Sequence, residues 1–361
     1  MLNNEMLLGG LPKKEYVAVS LTNNTDIRIF SIESNTLTLA STYTARKSYC
    51  INRNRNANLL VSGSTDKYVQ VFDVNKRNGS LSLNKEIAYS ANGFTGGYCV
   101  AFSRTNDNYI AVGDSNGIFT FNYSNGTYVS KTAGNTSGST FTYGLDFTRD
   151  DNIIISGSYG SDGMLSFTFN NSTGVIGSTY TAYNNDNYYY PTVSVSPTSN
   201  LVASVCQYYY YYYGIHSYTS SSFTYINQSY QGYDYYNSCD FHPSGNYVAY
   251  LLTGSTSYAN IGYSNPGLYI TNTTLGIVAS NTTYKCGTYQ GADGQKLVSW
   301  NANGDYLIVG YNPVNATSGN STIRLFHFNT SSNTLTYKSE YSFGNTSVSL
   351  RNAIFLGNTT A

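Results

Sequence analysis

The sequence predicts an all-β protein, a seven-bladed β-propeller whose blades are four-stranded antiparallel sheets, and three observations carry this prediction. A short apolar-x-aromatic phrase recurs seven times with starts 42 to 55 residues apart, a spacing typical of a repeat array. Each copy stands among runs that alternate apolar and polar residues with a period of two, the pattern of half-buried strands. No stretch shows a convincing helical periodicity.

The recurring phrase is interpreted as the third strand of each blade. A short apolar run such as Leu59-Leu-Val precedes it, and an alternating run such as Thr36-Leu-Thr-Leu follows after a turn rich in Asn, Ser and Gly. Further upstream lies a fourth run, as in Cys99-Val-Ala-Phe. Four such strands joined by short turns describe one propeller blade. The seven copies of the phrase begin at Ile27, Val69, Ile118, Leu165, Ile215, Leu268 and Ile323.

The two chain ends complete the predicted ring. The N-terminal repeat has three strands after Lys14 but no clear first strand, whereas the C-terminal run from Ser349 to Leu356 reads as a first strand without a blade. Pairing the two closes the ring and satisfies two open sheet edges. We expect one domain over residues 1–361, with blades at about 14–45 plus 347–361, 46–96, 97–140, 141–187, 188–234, 235–294 and 295–346.

The repeats resemble those of WD40 proteins and of the YVTN/lactonase-like superfamily over nearly the whole chain. The phrase LVSGSTDKYVQVFDV, which begins at Leu60, matches the strand-turn-strand of a WD40 blade, with Phe72-Asp73 in the place of the Trp-Asp pair. The phrase FHPSGNYV, which begins at Phe241, carries the same likeness. The resemblance implies a propeller fold and says little about function, because propellers host unrelated activities.

The chain departs from ordinary WD40 repeats in two ways. It has no Gly-His signature, and its single Trp, Trp300, lies in a first strand. The buried Asp-His-Ser-Trp network of WD40 blades therefore cannot be assembled. The ribbon and turn from Ile27 to Leu39 are closer to the lactonase-like propellers, but the Arg/His/Glu sets of those enzymes are not recognisable.

The charge and hydropathy of the chain limit the kinds of partner that it is expected to bind. The formal net charge is zero, so nucleic acid binding has no electrostatic driving force, and no apolar run of 18 residues predicts a membrane span. Residues 1–149 hold 14 Lys and Arg, whereas residues 150–284 hold none and six Asp. This cation-free sector is either a biased composition or a hydroxyl-rich surface that faces a protein or glycan partner.

The composition also bears on location. Charged residues make up only 11% of the chain, and Tyr, Asn, Ser, Thr and Gly supply most of the polar surface. Such a surface is more usual outside the cell, so we expect an extracellular or cell-surface protein, with a cytoplasmic location as the alternative. The first ten residues have no basic region and no long apolar region, so they do not resemble a signal peptide. The alternative that we favour is that the numbering begins inside a longer precursor.

Sequons for N-glycosylation are frequent, and we expect them in turns or near strand ends, where a glycan can be accommodated. Many could arise by chance in a chain rich in Asn, Ser and Thr, and Asn also favours tight turns for conformational reasons. The candidate sites are Asn78, Asn122, Asn125, Asn135, Asn170, Asn171, Asn227, Asn272, Asn281, Asn315, Asn320, Asn329 and Asn345.

The sequence contains few residues arranged for catalysis. Asp240 and His242 are two residues apart on one strand and share a face, which makes them the one pair that suggests acid–base work. The alternative is that His242-Pro-Ser-Gly is the ordinary turn after a first strand. No metal-ligand spacing and no phosphate-binding loop is present, so we expect no catalytic residues, no metal and no cofactor, and we predict that the protein is not an enzyme.

The tyrosines give the candidate binding face. Those before five first strands predict a partial ring around one mouth of the axial channel: Tyr49, Tyr98, Tyr143, Tyr190 and Tyr236. Blade five adds six consecutive tyrosines, from which Tyr209, Tyr211 and Tyr213 are the candidates. Tyrosine-rich loops on a rigid scaffold form antibody binding surfaces, because the ring offers a large area, a hydroxyl group and little entropy loss. The alternative is a hairpin extension that is half packed and half solvated.

Three hypotheses follow. The leading one is a non-enzymatic extracellular propeller with a structural or adhesive role, glycosylated, as a subunit of a surface assembly or filament. It would bind a protein, a glycan or another copy of itself through the tyrosine-rich face. The alternatives are an intracellular WD40-like interaction scaffold and a lactonase-like enzyme.

If the chain is secreted with glycans on these turns, its intact mass will exceed the 39.6 kDa of the sequence and will fall after enzymatic glycan removal. Mass spectrometry of protein from its native source measures both values. An unchanged mass would argue strongly against secretion through a glycosylating pathway.

Overall fold

The computed structural model describes residues 14–21, 25–89, 93–132, 141–159, 163–183, 189–207, 212–230, 235–254, 267–283, 286–287, 296–312, 320–344 and 349–358. All regular structure in these ranges is β, and it forms seven antiparallel sheets. The innermost strands of successive sheets pack side by side until the last meets the first, so the seven sheets close a ring. The prediction of a seven-bladed propeller is confirmed.

Blade 1 combines strands from both chain ends, whereas blades 2 and 3 are continuous in sequence. From the innermost strand outwards, blade 1 contains β29 (Leu350–Asn358), β1 (Glu15–Leu21), β2 (Asp26–Glu33) and β3 (Thr36–Thr44). Blade 2 contains β4 (Ser48–Arg53), β5 (Leu59–Ser64), β6 (Tyr68–Val74) and β7 (Leu81–Ala88). Blade 3 contains β8 (Cys99–Phe102), β9 (Tyr109–Asp114), β10 (Gly117–Asn122) and β11 (Thr127–Lys131).

The other four blades are continuous in sequence. Blade 4 contains β12 (Phe141–Phe147), β13 (Ile153–Tyr159), β14 (Met164–Asn170) and β15 (Val175–Tyr183). Blade 5 contains β16 (Tyr189–Val195), β17 (Leu201–Gln207), β18 (Tyr212–Tyr218) and β19 (Phe223–Tyr230). Blade 6 contains β20 (Tyr235–Phe241), β21 (Tyr247–Gly254), β22 (Gly267–Asn272) and β23 (Ile277–Asn281), and β24 (Cys286–Gly287) pairs in parallel with β21. Blade 7 contains β25 (Val298–Trp300), β26 (Tyr306–Tyr311), β27 (Thr322–Asn329) and β28 (Thr334–Ser342).

The ring closes as the sequence predicts. Strand β29 pairs with β1 in antiparallel register, with Ala353 opposite Val19. Blade 1 is also tied to blade 7, because the Asn301 side-chain amide donates a 2.8 Å hydrogen bond to the Glu15 carboxylate. The C-terminal strand thus completes the blade that begins the chain, and the two termini hold each other in place.

The core lies between the blades rather than in one centre. Both faces of each second and third strand are buried, because each sheet packs against a neighbour on either side. In one such layer Ala18 and Ile29 of blade 1 pack with Leu60 and Phe72 of blade 2. The apolar alternation of the repeats therefore becomes seven similar interfaces, each of which buries apolar surface as in a sheet sandwich.

The innermost strands face the axis with backbone groups that no further strand can pair. Side chains from the neighbouring blade satisfy these groups instead. Asp146 Oδ2 accepts the Val195 amide at 2.9 Å, and Asp240 Oδ2 accepts the Trp300 amide at 2.9 Å. Ser238 Oγ accepts two amides of blade 7, those of Leu297 at 3.0 Å and Val298 at 3.2 Å. These bonds link blade to blade in place of a WD40-type network.

The outermost strands carry a recurring irregularity. In all seven blades the pairing between the third and fourth strands shifts register by one or more residues, as at Ile29/Phe30 in blade 1 and Ile215/His216 in blade 5. A β-bulge bends and twists a strand, which makes an exposed edge a poor template for another chain. The repeated bulge therefore protects the seven outer edges.

We expect Ser238→Ala to lower the free energy of unfolding by about 1–3 kcal/mol, because it leaves buried amides of Leu297 and Val298 without an acceptor. Urea denaturation followed by circular dichroism measures the loss. The matched control is Ser82→Ala on the exposed face of β7, which should change stability by less than about 0.5 kcal/mol. Equal stability of the two variants would contradict the linking role.

One buried titratable group couples the fold to pH. His216 on β18 is 2% exposed, its Nε2 lies 3.1 Å from Ser204 Oγ, and its ring packs on Tyr183 at 4.5 Å between centroids. Burial lowers the pKa of His216 to about 4 from the usual 6.5, because the charged imidazolium is disfavoured there. The folded protein therefore keeps this residue neutral at pH values where an unfolded chain protonates it.

Between pH 6.5 and pH 4 the unfolded chain binds more protons at this histidine, so stability is full above pH 6.5 and falls as the pH drops. The shift corresponds to a loss of about 3 kcal/mol near pH 4. We expect His216→Gln to remove this part of the slope of unfolding free energy against pH. Urea titrations at several pH values measure it, and an unchanged slope would contradict the assignment.

Candidate functional site

A cavity of about 540 Å³ opens where the innermost strands end. Most of its wall comes from the carboxyl ends of these strands and the turns that follow them, such as Arg53 at the end of β4 and Asp146 near the end of β12, while Lys296 reaches it from the segment before β25. The innermost strands pack side by side in one ring, so residues far apart in sequence converge here. The cavity lies on the propeller axis, at the mouth opposite the predicted tyrosine ring.

Charge is concentrated in this cavity. Five of the nineteen basic residues line it with two carboxylates, in a chain whose formal net charge is zero. Three cations therefore have no carboxylate partner in the cavity, Arg53 half-buried and Arg55 and Arg149 exposed, and such an excess of positive charge attracts anions. The basic residues are Arg53, Arg55, Arg104, Arg149 and Lys296, and the acidic residues are Asp146 and Asp240.

Arg104 and Asp146 form a fixed ion pair on one wall. The guanidinium Nη2 lies 2.5 Å from Asp146 Oδ2 and also donates to the Val195 carbonyl at 3.2 Å. Burial opposes the charge on Arg104, but the attraction and hydrogen bond of Asp146 outweigh it and raise the pKa of Arg104. Asp146 Oδ1 accepts the Phe147 amide at 2.9 Å, so both oxygens of this carboxylate are engaged.

Lys296 and Asp240 form a second, looser ion pair between blades 7 and 6. The ammonium Nζ lies 3.1 Å from Asp240 Oδ1, and the Ser194 hydroxyl donates to the same oxygen at 3.3 Å. Asp240 Oδ2 accepts the Trp300 amide, and the Trp300 indole N–H donates to the Asp240 carbonyl at 3.2 Å. Asp240 is thus held in one orientation with Lys296 beside it.

Arg53 differs from these two cations. It is half-buried and lines the cavity, yet no described residue accepts a hydrogen bond from its guanidinium or forms an ion pair with it. Burial lowers the pKa of Arg53, and repulsion by Arg104 adds to this, while Asp240 attracts the charge and opposes the shift. Arg53 is therefore a cation in the cavity without an acceptor.

His242, the expected companion of Asp240, does not reach the cavity. It is 4% exposed, with Nδ1 2.8 Å from Ser244 Oγ and Nε2 2.9 Å from the Gly304 carbonyl oxygen. Its ring packs edge-to-face on Trp300 at 4.9 Å, and burial lowers its pKa. The structure thus separates this histidine from Asp240 and gives it the role of a turn residue.

Three of the predicted tyrosines lie side by side at the opposite mouth. The ring centroids of Tyr49 and Tyr98 are 5.2 Å apart, those of Tyr98 and Tyr143 are 5.7 Å apart, and the Arg351 guanidinium stacks 4.2 Å above Tyr49. Tyr143 is buried, and its neighbours are half-buried. A binding role for this arc stays a prediction.

The other tyrosines divide into three cases. Tyr213 is 2% exposed and packs on Tyr250 at 4.6 Å between centroids, so its placement on a binding face is wrong. The reason is the alternation of β18, which turns this ring towards blade 6. Tyr190 and Tyr236 lie in β16 and β20, whereas Tyr209 and Tyr211 lie outside the described residues.

Several sequons have a structural explanation in their turns. Asn78, Asn125 and Asn272 each accept, through Oδ1, both the amide and the hydroxyl of the Ser or Thr two residues later, at 2.6 to 3.0 Å. The pattern Asn-x-Ser/Thr is therefore itself a turn-forming motif here. The frequency of sequons follows from turn chemistry, and their glycosylation stays a prediction.

Other sequons differ in position. Asn227 lies inside β19, where its amide donates to the Thr274 carbonyl at 2.8 Å, so it is not the turn residue expected from sequence. The remaining described candidates, Asn122, Asn170, Asn171, Asn281, Asn320 and Asn329, lie at or near strand ends. Asn135, Asn315 and Asn345 lie outside the described residues.

Within the described ranges, His, Cys, Asp and Glu nowhere gather in threes that could hold a metal ion. Those ranges also contain no helix long and apolar enough to cross a bilayer.

Comparison with known proteins places the architecture. The sequence matches no family model and no curated protein. Among solved structures, two proteins described as a "putative 6-phosphogluconolactonase" share the fold. The one from Bacteroides fragilis has a TM-score of 0.70 at 13% identity, over 95% of this chain and 98% of its own. The one from Bacteroides uniformis has a TM-score of 0.68 at 13% identity, over 93% and 99%. A Lactobacillus plantarum protein gives 0.71 at 10% identity, over 95% and 99%.

These likenesses confirm the resemblance to lactonase-like propellers at the level of the fold. They also contradict the prediction that the protein is not an enzyme, because two structural neighbours that cover almost the whole chain carry the description of an enzyme. That prediction rested on motifs within short stretches, whereas the charged groups of the cavity come from five blades and meet only in the folded ring.

Sequence reasoning missed Arg53, Arg104 and Lys296. The available signal was their rarity: only 11% of residues are charged, and in the structure Arg53 ends β4 and Arg104 lies two residues after the end of β8. Such positions converge in any propeller. A charged residue there is the feature that could have located the cavity.

Proposed function

We propose that the protein is a hydrolase that opens the lactone ring of a small anionic sugar acid in the axial cavity. The observation that carries this proposal is the convergence of an oriented carboxylate, Asp240, with three unmatched positive charges in a cavity of about 540 Å³. The solved structures described as 6-phosphogluconolactonases support the choice of reaction, since they share this architecture.

Lactone hydrolysis makes demands that this cavity fits. A water oxygen bonds to the lactone carbonyl carbon, the ring C–O bond breaks, and the former ring oxygen leaves as a hydroxyl group after taking a proton. A base that accepts the water proton and a cation near the developing oxyanion both lower the barrier. The carboxylate of Asp240 suits the first role, and the Lys296 ammonium 3.1 Å from it suits the second.

Asp146 and Asp240 have the same hydrogen-bond occupancy, because in each carboxylate one oxygen has two partners and the other accepts one backbone amide. We assign the base to Asp240 because of the cation beside it. Arg104 is held by both Asp146 and the Val195 carbonyl, whereas Asp240 is the one described partner of the Lys296 ammonium. In this mechanism Asp146 is a structural link between blades, and Asp240 is both a link and the base.

The expectations about surroundings are separate from this reaction. An extracellular or cell-surface location is a proposal supported by the low charge content and the sequon-bearing turns. A protein, glycan or self-association surface at the tyrosine arc is likewise a proposal, supported by the contact of Tyr49, Tyr98 and Tyr143. Both are compatible with catalysis at the opposite mouth.

We expect Asp240→Asn to lower kcat/KM for 6-phosphoglucono-δ-lactone by at least about 100-fold, the usual contribution of a general base. The amide oxygen of Asn can still accept the Trp300 amide, so the fold should persist. Acid release followed in a weakly buffered pH-indicator solution, corrected for spontaneous hydrolysis, measures the rate.

The matched control is Asp73→Asn, the same change on the exposed face of β6, which should keep the wild-type rate. Thermal unfolding of each variant checks the fold. Hydrolysis by the wild-type protein no faster than the spontaneous reaction would sink the proposed function.

A further inference from the structure

The cations of the cavity differ in what they already hold. Arg104 is paired with Asp146, Lys296 is paired with Asp240, and Arg149 donates to the Thr198 carbonyl at 3.0 Å. Among the described residues, only Arg53 and Arg55 line the cavity as cations with no acceptor of a side-chain hydrogen bond, and Arg55 is exposed at the rim. Arg53 is the inner one of the two.

We propose that Arg53 is the anchor for an oxyanion of the ligand, a phosphoryl or carboxylate group, and that it selects anionic over neutral ligands. This inference rests on the proposed function for the reaction that the ligand undergoes. The binding step itself needs only the cavity and its charges.

The Arg53 side chain is a half-buried cation with unused hydrogen-bond donors. A guanidinium has five N–H donors and cannot be an acceptor, so in a half-buried position it calls for oxygen atoms that the described residues do not supply. Burial and Arg104 both disfavour its charge, as its lowered pKa reports. An anion at this point restores the lost interactions and offsets the repulsion between the two arginines.

The shape of the Arg53 guanidinium also suits an oxyanion. The planar guanidinium matches two oxygens of one phosphoryl or carboxylate group, which a lysine cannot do. The charged groups that face Arg53 are Asp240, which attracts it, and Arg104, which repels it. An oxyanion bound by Arg53 therefore lies within electrostatic range of Asp240, and the rest of a small ligand can reach the Asp240–Lys296 pair.

The balance of charges in the cavity also favours an anionic ligand. With Arg104 and Lys296 neutralised by Asp146 and Asp240, the positive charges that remain are Arg53, Arg55 and Arg149. A neutral sugar would leave all three unmatched, whereas a doubly charged phosphoryl group would match most of them. The cavity is therefore selective for charge before shape is considered.

Titration calorimetry with inorganic phosphate, and separately with malonate as a carboxylate probe, tests the anchor in the full-length protein. Phosphate should bind, and Arg53→Gln should weaken it by at least about tenfold, the value of one charge-assisted hydrogen bond. Arg53→Lys keeps the positive charge but loses the paired N–H donors of the guanidinium. Its affinity for phosphate should therefore lie between those of the wild type and Arg53→Gln. The relative affinities of phosphate and malonate distinguish a phosphoryl from a carboxylate ligand.

The matched control is Arg77→Gln, the same change in an exposed turn outside the cavity, which should bind as the wild type does. Trp300 is the single Trp of the chain and lines the cavity, so its fluorescence gives a second readout of occupancy. Equal anion affinity in the wild type and Arg53→Gln would overturn the anchor.

Activity separates the two proposals. Arg53→Gln should raise KM for 6-phosphoglucono-δ-lactone by about tenfold or more with a smaller change in kcat, whereas the control Arg77→Gln should keep both wild-type values. Arg53-dependent phosphate binding without any lactone hydrolysis would overturn the proposed function and keep the anchor. Hydrolysis of the phosphorylated lactone that is indifferent to Arg53 would overturn the anchor alone.

Discussion

The structure depends on how the inner edges of the seven blades are satisfied. A ring of sheets leaves each innermost strand with backbone groups that face the axis and have no strand to pair with. This chain fills the gap with short polar side chains that reach the backbone of the next blade, as Asp146, Ser194 and Asp240 do. The blades are thereby linked in register, and the apolar layers between them can pack.

The same solution creates the candidate site. Two of the linking side chains are carboxylates, and burial near the axis would penalise their charges without partners. Arg104 and Lys296 supply these partners, so the need to neutralise the linking carboxylates explains two of the cations in the cavity. Arg53 goes beyond this need, because no carboxylate in the described chain pairs with it, and for this reason we propose it as the anchor of an anionic ligand. Under the proposed function Asp240 serves both the link between blades and the reaction, so we expect a change there to affect both.

The low identity to structures of the same fold has a physical reason. A propeller requires alternating apolar residues, turns at set intervals and a satisfied inner edge, and many sequences meet these demands. Identities of 10% to 13% over nearly whole chains fit that freedom. The turns of this protein show it directly, because Asn78, Asn125 and Asn272 form their turns with the Ser or Thr two residues later and so produce sequons for conformational reasons.

The blade count, the strand order and the closure of the ring by the C-terminal strand could all be predicted from the sequence, because period-two alternation and turn residues act over a few neighbours and repeat. The sequence also placed Tyr49, Tyr98 and Tyr143 at equivalent positions, where they meet in the structure. Long-range packing places Tyr213 in the core, bonds His242 to the Gly304 carbonyl, and brings Arg53, Arg104 and Lys296 into one cavity with Asp146 and Asp240. These facts depend on distances between separate blades, and no local pattern of residues records such distances.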